Sequence, residues 1–222
     1  MDNTSYLVTG TDTGVGKTIA SIAIMQALQA RGGSVGGMKP VASGGRFDSS
    51  RGLISDDALL LMRYANIKLP YHAVNPVCLE NPCSPNIAAK LKGVPLSLDK
   101  IIAAYNEIKE LADYIIVEGV GGWRAPCFGI TGIECLARRL NLPVILVVGI
   151  RLGCINHALL TVEAIKADGL VFSGWIANLV DANFSYNAKT IEFLQANISV
   201  PLLGKIPYQH NLTKLSLGHF IV

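Results

Sequence analysis

No stretch of this chain is apolar for long enough to cross a bilayer. Its longest apolar run, residues 142–150 with Gly149 inside it, is about half of the ~20 residues that a spanning helix needs, so it reads as a buried strand. No basic segment followed by an apolar core opens the sequence, and nothing directs it to the secretory route. The five cysteines are an odd number without Cys-x-x-Cys spacing, which argues against a disulfide framework and for reduced thiols in the cytoplasm. His72, His210 and His219 are isolated and form no metal-binding spacing. Charge is scarce as well: charged residues make up 16% of the chain, with a formal net charge of +3 and Lys and Arg scattered along it. No basic stripe for nucleic acid results. Internal repeats and low-complexity segments are also missing, which excludes a solenoid.

What is present starts near the N-terminus, where Gly10-Thr11-Asp12-Thr13-Gly14-Val15-Gly16-Lys17-Thr18 ends in the Gly-Lys-Thr of a phosphate-cradling loop. The apolar residues 6–8 before it read as a strand, and Ile19, Ile22, Ile24 and Leu28 after it fall at helical spacing, the strand-loop-helix context that the motif requires. In such a loop Gly14 and Gly16 let backbone N–H groups approach phosphate oxygens, Lys17 reaches the outer phosphates and the Thr18 hydroxyl ligates Mg²⁺. The usual first glycine is replaced by Thr11, so the loop is a variant.

The remaining sequence continues the rhythm of a wound α/β sheet. Short apolar runs at residues 6–9, 34–38, 114–117, 144–148, 175–178 and 202–206 read as strands. Helical patterns alternate with them at 17–31, 57–65, 98–112, 133–140, 156–166 and 187–195, with Ser97 as a cap of the third. The expected fold is α/β: a P-loop NTPase-like three-layer sandwich with a mostly parallel central sheet, formed by one domain over residues 1–222. Residues 41–55 and 69–85 read as irregular, and long irregular segments in a compact domain usually serve a site. Ligands in such sheets bind beyond the C-terminal ends of the strands.

Four further segments fall at those ends. Lys39 follows the second strand, with Ser43 four residues on; a second cation there would oppose the charge of a moving phosphoryl group, although a solvated surface lysine fits the same pattern. Ser55, Asp56 and Asp57 open a helix, where one of them is a cap and another carboxylate can ligate Mg²⁺. The third strand ends in Glu118-Gly119-Val120-Gly121-Gly122-Trp123, a carboxylate where phosphate-loop enzymes keep an acidic Mg²⁺ site, or a plain strand-to-helix turn. After the fourth strand, Gly153-Cys154-Ile155-Asn156 open a helix whose free N–H groups suit an anion. Cys154 and His157 suggest a nucleophile and base, but with no third orienting group in view a small buried thiol is favoured.

Taken together, these segments resemble the dethiobiotin synthetase family over nearly the whole chain. The resemblance rests on the phosphate loop, on Lys39-Pro40-Val41-Ala42-Ser43-Gly44, Asp57-Ala58-Leu59, Asn75-Pro76 and Ser84-Pro85, and on Glu118-Gly119 with Gly121-Gly122-Trp123. Residues 142–149 and 152–157, Gly174-Trp175 with Ala177-Asn178, and Pro201-Leu202-Leu203-Gly204 with Ile206-Pro207 extend it in the same order. It implies an ATP-dependent ligase that takes 7,8-diaminononanoate and carbon dioxide through a carbamate and a mixed anhydride to a cyclic urea.

By the same resemblance Lys39, Lys17 and Thr11 are catalytic, and Thr18, Asp57 and Glu118 hold Mg²⁺. ATP is bound by Gly14, Val15, Gly16, Lys17, Thr18 and Ile19, by Asp57, Glu118, Gly119, Val120 and Gly121, and by Asn178 and Leu179, with Pro207, Tyr208 and Gln209 flanking the base. Ser43 binds the carbamate. Gly153, Cys154, Ile155 and Asn156 hold the substrate carboxylate across the interface of a homodimer. The chain departs from the family at Val120, at Arg124 and in residues 127–135, which lack the aspartates often seen there. A partition-type ATPase of the same fold is the alternative; such proteins usually carry lysine where this chain has Asp12. An amidotransferase-type synthetase would need a glutaminase domain for which the chain has no room.

Overall fold

The computed structural model describes residues 4–209 and 215–221; His210 lies outside them. Six parallel strands form the central sheet: β1 (Thr4–Gly10), β2 (Val35–Met38), β7 (Tyr114–Glu118), β8 (Val144–Ile150), β9 (Phe172–Leu179) and β10 (Leu202–Ile206). Their order across the sheet is β10-β9-β8-β1-β7-β2. A parallel sheet is covered on both faces, which is why residues 144–148 read as an unbroken apolar run, Val-Ile-Leu-Val-Val.

Side chains alternate between the two faces. Leu7, Ile115, Val117, Val144, Leu146, Val148 and Trp175 point into one core, and Val8, Ile116, Ile145, Val147 and Ile176 point into the other. The first core is closed by α5 (Leu98–Ile108), α6 (Glu134–Leu140), α7 (Cys154–Ala167) and α8 (Asn187–Asn197); the second by α1 (Lys17–Ala30) and α2 (Asp56–Tyr64). This is the expected three-layer arrangement. Ser97 and Ser55 cap α5 and α2, their side chains accepting from Lys100 N and Ala58 N.

The segments that read as irregular are more ordered than their sequence suggests. Residues 41–55 and 69–85 hold β3 (Val41–Ser43) paired in parallel with β6 (Val77–Leu79), the hairpin of β4 (Arg46–Asp48) and β5 (Gly52–Ile54), and the single turn α3 (Tyr71–Val74). Three-residue strands carry no measurable period, so alternation cannot reveal them. Helix α4 (Pro85–Lys92) was also not expected; Pro85 opens it and Gly93, at φ +72°, ends it in the left-handed region.

Candidate active site

All six C-terminal strand ends lie along one edge of the sheet, and the chemistry-bearing residues gather there. Between β1 and α1 the loop turns through Gly14 and Gly16, with φ of +75° and +83°, values that a side chain would strain. At Gly16 a Cβ would also strike the Asn178 side chain, whose Nδ2 donates to Val15 O at 2.9 Å. Lys17 is buried and curls back over the loop, its Nζ donating to Asp12 O at 3.0 Å and Gly121 O at 2.6 Å. Burial, and next the charge of Lys39, lower its pKa to about 8.

Beside this loop four side chains from four separate segments meet. Thr18 Oγ1 donates within 2.9 Å of Asp57 Oδ1 and 2.8 Å of Glu118 Oε1. Lys39 Nζ lies 2.8 Å from Asp57 Oδ2, 2.6 Å from Glu118 Oε1 and 3.3 Å from Gly119 O. Burial works to lower the Lys39 pKa, but Glu118 and Asp57 outweigh it and hold the ammonium above its ordinary value. Asp57, where burial is the largest single effect, is still held low by Lys39. Burial pushes Glu118 up, and Lys39 offsets only part of that. The surface-lysine reading of Lys39 is thereby excluded, since it is only 4% exposed. The plain-turn reading of Glu118 is excluded too.

Glu118 Oε2 is buried and has no hydrogen-bond partner among the described residues. An unpartnered buried carboxylate oxygen beside a hydroxyl and a second carboxylate is a set of hard oxygen donors that fits Mg²⁺, which takes one or two carboxylates and completes its shell with phosphate and water.

An open cavity of about 780 Å³ adjoins the loop, lined among others by Thr11, Ser43, Val120, Arg124, His157 and Thr161. Residues 153–156 do not line it. Gly153, at φ +88°, precedes α7; Cys154 is buried in the core, while Asn156 is exposed. The buried-thiol reading of Cys154 holds, because His157 faces the cavity and Cys154 does not. Leu179 closes β9, and Pro207, Tyr208 and Gln209 follow β10, with Gln209 Nε2 donating to Pro207 O.

Two features were not legible in the sequence. Arg151, one residue past β8, pairs with Asp12 at 2.9 Å and so braces the phosphate loop. Asp168, just past α7, accepts from Trp123 Nε1 and pairs with Arg124, each at 2.8 Å, tying the glycine-rich turn to the far end of α7. The partners stand 139 and 44 residues apart in sequence, and no local pattern announces either.

A family model described as an AAA domain matches residues 4–216. The chain is 45% identical over 217 residues to a protein of Vibrio parahaemolyticus named ATP-dependent dethiobiotin synthetase BioD, covering 98% of this chain and 95% of that one. A Xanthomonas oryzae protein of the same name is 46% identical over 209 residues, covering 94% and 93%. The chain belongs to the dethiobiotin synthetase family. Among solved structures, the cell-division protein MinD of Aquifex aeolicus superposes with a TM-score of 0.51 at 17% identity, covering 93% of this chain and 82% of that one. The Mg-ADP complex of the Pyrococcus horikoshii septum site-determining protein MinD gives 0.50 at 18% identity, covering 92% and 82%. At that identity the likeness is one of fold, and it agrees with the P-loop NTPase architecture of the family.

Proposed function

We propose that this chain is an ATP-dependent ligase that converts 7,8-diaminononanoate and carbon dioxide into dethiobiotin, with ADP and phosphate as the other products. The observation that carries the reading is the convergence of Thr18, Lys39, Asp57 and Glu118 beside the phosphate loop, next to a cavity lined by Thr11 and Ser43. The family relatives, named ATP-dependent dethiobiotin synthetase, support the same reaction.

In this reading one amine of the substrate adds to carbon dioxide and loses a proton, giving a carbamate held by Ser43 and Thr11. A carbamate oxygen attacks the γ-phosphorus and ADP leaves. The second amine then attacks the carbonyl carbon of the mixed anhydride, phosphate departs with the C–O bond, and the ring closes as a cyclic urea. None of these steps needs a covalent protein nucleophile; phosphoryl transfer asks chiefly for alignment and charge. Lys17 and Lys39 supply that charge from two sides, Lys17 on the outer phosphates and Lys39 on the oxygens between γ-phosphorus and carbamate. Thr18, Asp57 and Glu118 would hold Mg²⁺, which when bound neutralises phosphate charge.

Gly14, Val15, Gly16 and Ile19 bind phosphates in this scheme, with Gly119, Val120 and Gly121 facing them. Asn178 has its Nδ2 committed to Val15 O, so its Oδ1 is the atom left to accept from an adenine amine, with Leu179, Pro207, Tyr208 and Gln209 about the base. The N–H groups of Gly153 and Ile155 and the Asn156 side chain would take the substrate carboxylate; the Cys154 N–H, expected to be free for it, instead donates to Arg151 O at 3.1 Å. These residues do not line the cavity of their own chain; in this reading a second copy of the chain delivers them, and the enzyme works as a homodimer of single-domain protomers spanning residues 1–222. Among the described residues no helix is long and apolar enough to cross a membrane. Incubation with diaminononanoate, bicarbonate, Mg²⁺ and ATP, with the product identified by mass, tests the proposal: a cyclic urea of dethiobiotin mass is expected, and ATP hydrolysis without it would refute the reading.

A further inference from the structure

Lys39 and Asp57 meet at 2.8 Å, but no strand pairing of the sheet ties them to each other. Lys39 lies one residue beyond β2, the edge strand of the sheet. Pro40 follows it and has no N–H to extend a ladder. Asp57 sits in the first turn of α2, after the β4–β5 hairpin.

Tyr71 and Asn75 bridge the two. Lys39 is gripped by both of its backbone groups: its N–H donates to Val74 O at 2.8 Å, and its carbonyl accepts from Asn75 Nδ2 at 2.6 Å. The same Nδ2 donates to Val77 O at 3.1 Å, and Asn75 Oδ1 accepts from the Tyr71 hydroxyl at 3.0 Å. That hydroxyl in turn accepts from Ser55 N at 2.8 Å, and Ser55 is the cap of α2, two residues before Asp57. Asn75 is 4% exposed and all of its side-chain polar atoms are engaged. One continuous path of hydrogen bonds thus runs from the backbone carrying Lys39 to the backbone carrying Asp57, through two side chains that touch neither ion.

We propose that Tyr71 and Asn75 are positioning residues that hold the Lys39 ammonium and the Asp57 carboxylate in register for phosphoryl transfer. Loss of the path leaves the ion pair itself as the direct tie between those two side chains, and an ion pair without a fixed backbone tolerates displacements that alignment-dependent chemistry does not. Position, rather than affinity for nucleotide, is what the relay supplies.

The inference rests on the roles given above to Lys39 and Asp57, and its test separates the two. Asn75→Ala strips the hub but leaves buried carbonyls without donors, and it is at risk of misfolding. Tyr71→Phe removes one oxygen and keeps the ring, so it is the deciding variant. Tyr105→Phe is the matched control: it removes a hydroxyl that donates to Ser5 Oγ at 2.9 Å, in the core beneath the sheet. In Tyr71→Phe we expect kcat to fall about tenfold, equivalent to about 1.4 kcal/mol, with the KM for ATP unchanged. The Mn²⁺ concentration that half-saturates the ADP-bound protein should rise by a similar factor, and Tyr105→Phe should melt lower with neither quantity altered. Wild-type protein that forms no dethiobiotin overturns the proposed function, and Mn²⁺ titration then decides the relay by itself. Wild-type kcat and Mn²⁺ affinity in Tyr71→Phe, or losses that Tyr105→Phe reproduces, overturn the relay.

Discussion

Lys39 and Glu118 stand 2.6 Å apart because the register of β2 and β7, which pairs Met38 with Val117, brings the residue just past β2 to the level of the last residue of β7. Two opposite charges, both nearly inaccessible to water, are delivered side by side by the backbone rather than by a search of long side chains. Burial of either alone would cost several kcal/mol, and removal of one partner from such a pair typically costs about 3–5 kcal/mol. Asp57 and Thr18 share the same centre, so the phosphate loop, the edge strand and α2 are coupled through one cluster.

Lys39→Gln should therefore do two things. Turnover should fall by far more than ATP binding weakens, because the ammonium is placed for charge that develops only during transfer. The variant should also melt lower in the absence of metal and recover more on addition of Mg²⁺ than the wild type does, since a divalent cation relieves the stranded Glu118. Steady-state kinetics and calorimetry with and without Mg²⁺ check both; an unchanged kcat with a raised KM for ATP would leave Lys39 a binding residue only.

Lys17→Ala and Thr18→Ala should each abolish turnover at saturating ATP and Mg²⁺. They remove contacts at the loop and not side chains that fill the core, so circular dichroism spectra should match the wild type. Near-native kcat in either variant would contradict the phosphate-loop assignment.

The Lys17 pKa of about 8 gives nucleotide binding a pH signature. Its pKa in the folded protein lies below the unfolded value of 10.5, so the unfolded state binds more protons between the two, and Lys17 favours the folded apoprotein as pH rises through that window. Bound phosphates reverse this by restoring the charge. At about pH 9, ATP binding should take up a proton, detectable by calorimetry in buffers of different ionisation enthalpy, and the uptake should vanish near pH 6. Equal heats in all buffers at the higher pH would show that Lys17 enters the complex without changing its charge.

Asn156 tests the shared site. Asn156→Ala should weaken diaminononanoate by ~1–2 kcal/mol, as for a lost hydrogen bond to a charged group, with ATP affinity unchanged. Asn156→Asp should be worse, because it sets a carboxylate against a carboxylate while remaining a favourable residue at a helix start. Mixing inactive Lys17→Ala with Asn156→Asp should restore part of the activity through hybrid dimers that contain one intact composite site. Absence of rescue after demonstrated subunit exchange would refute the two-chain site.

The sheet was readable in the sequence for a physical reason: residues 144–148 and 114–117 are apolar on both faces, as buried parallel strands must be. Lys17, Lys39, Thr18 and Glu118 were readable because each sits at or just past a strand end in a motif. What escaped depends on contacts between distant segments. The short strand pair β3 and β6 is stabilised by what packs around it, and Asp168 becomes informative only when α7 brings it to Trp123 and Arg124. The Tyr71–Asn75 path is of the same kind: Asn75-Pro76 was visible as a motif, but its link to Lys39 spans 36 residues.

The strand order carries a consequence for how the chain comes to be made. The central strand β1 is synthesised first, yet its neighbours β7 and β8 begin only at Tyr114 and Val144. A chain emerging from the ribosome therefore exposes its phosphate loop and α1 while about a hundred further residues are added, before either flank of β1 can pair. Such long-range pairing folds slowly, and unpaired strand edges invite aggregation meanwhile. Nucleotide affinity in the nascent chain should arise only once β9, with the Asn178 that holds the phosphate loop, and residues 207–209 have cleared the exit tunnel, making ATP a late arrival to this fold and not a template for it.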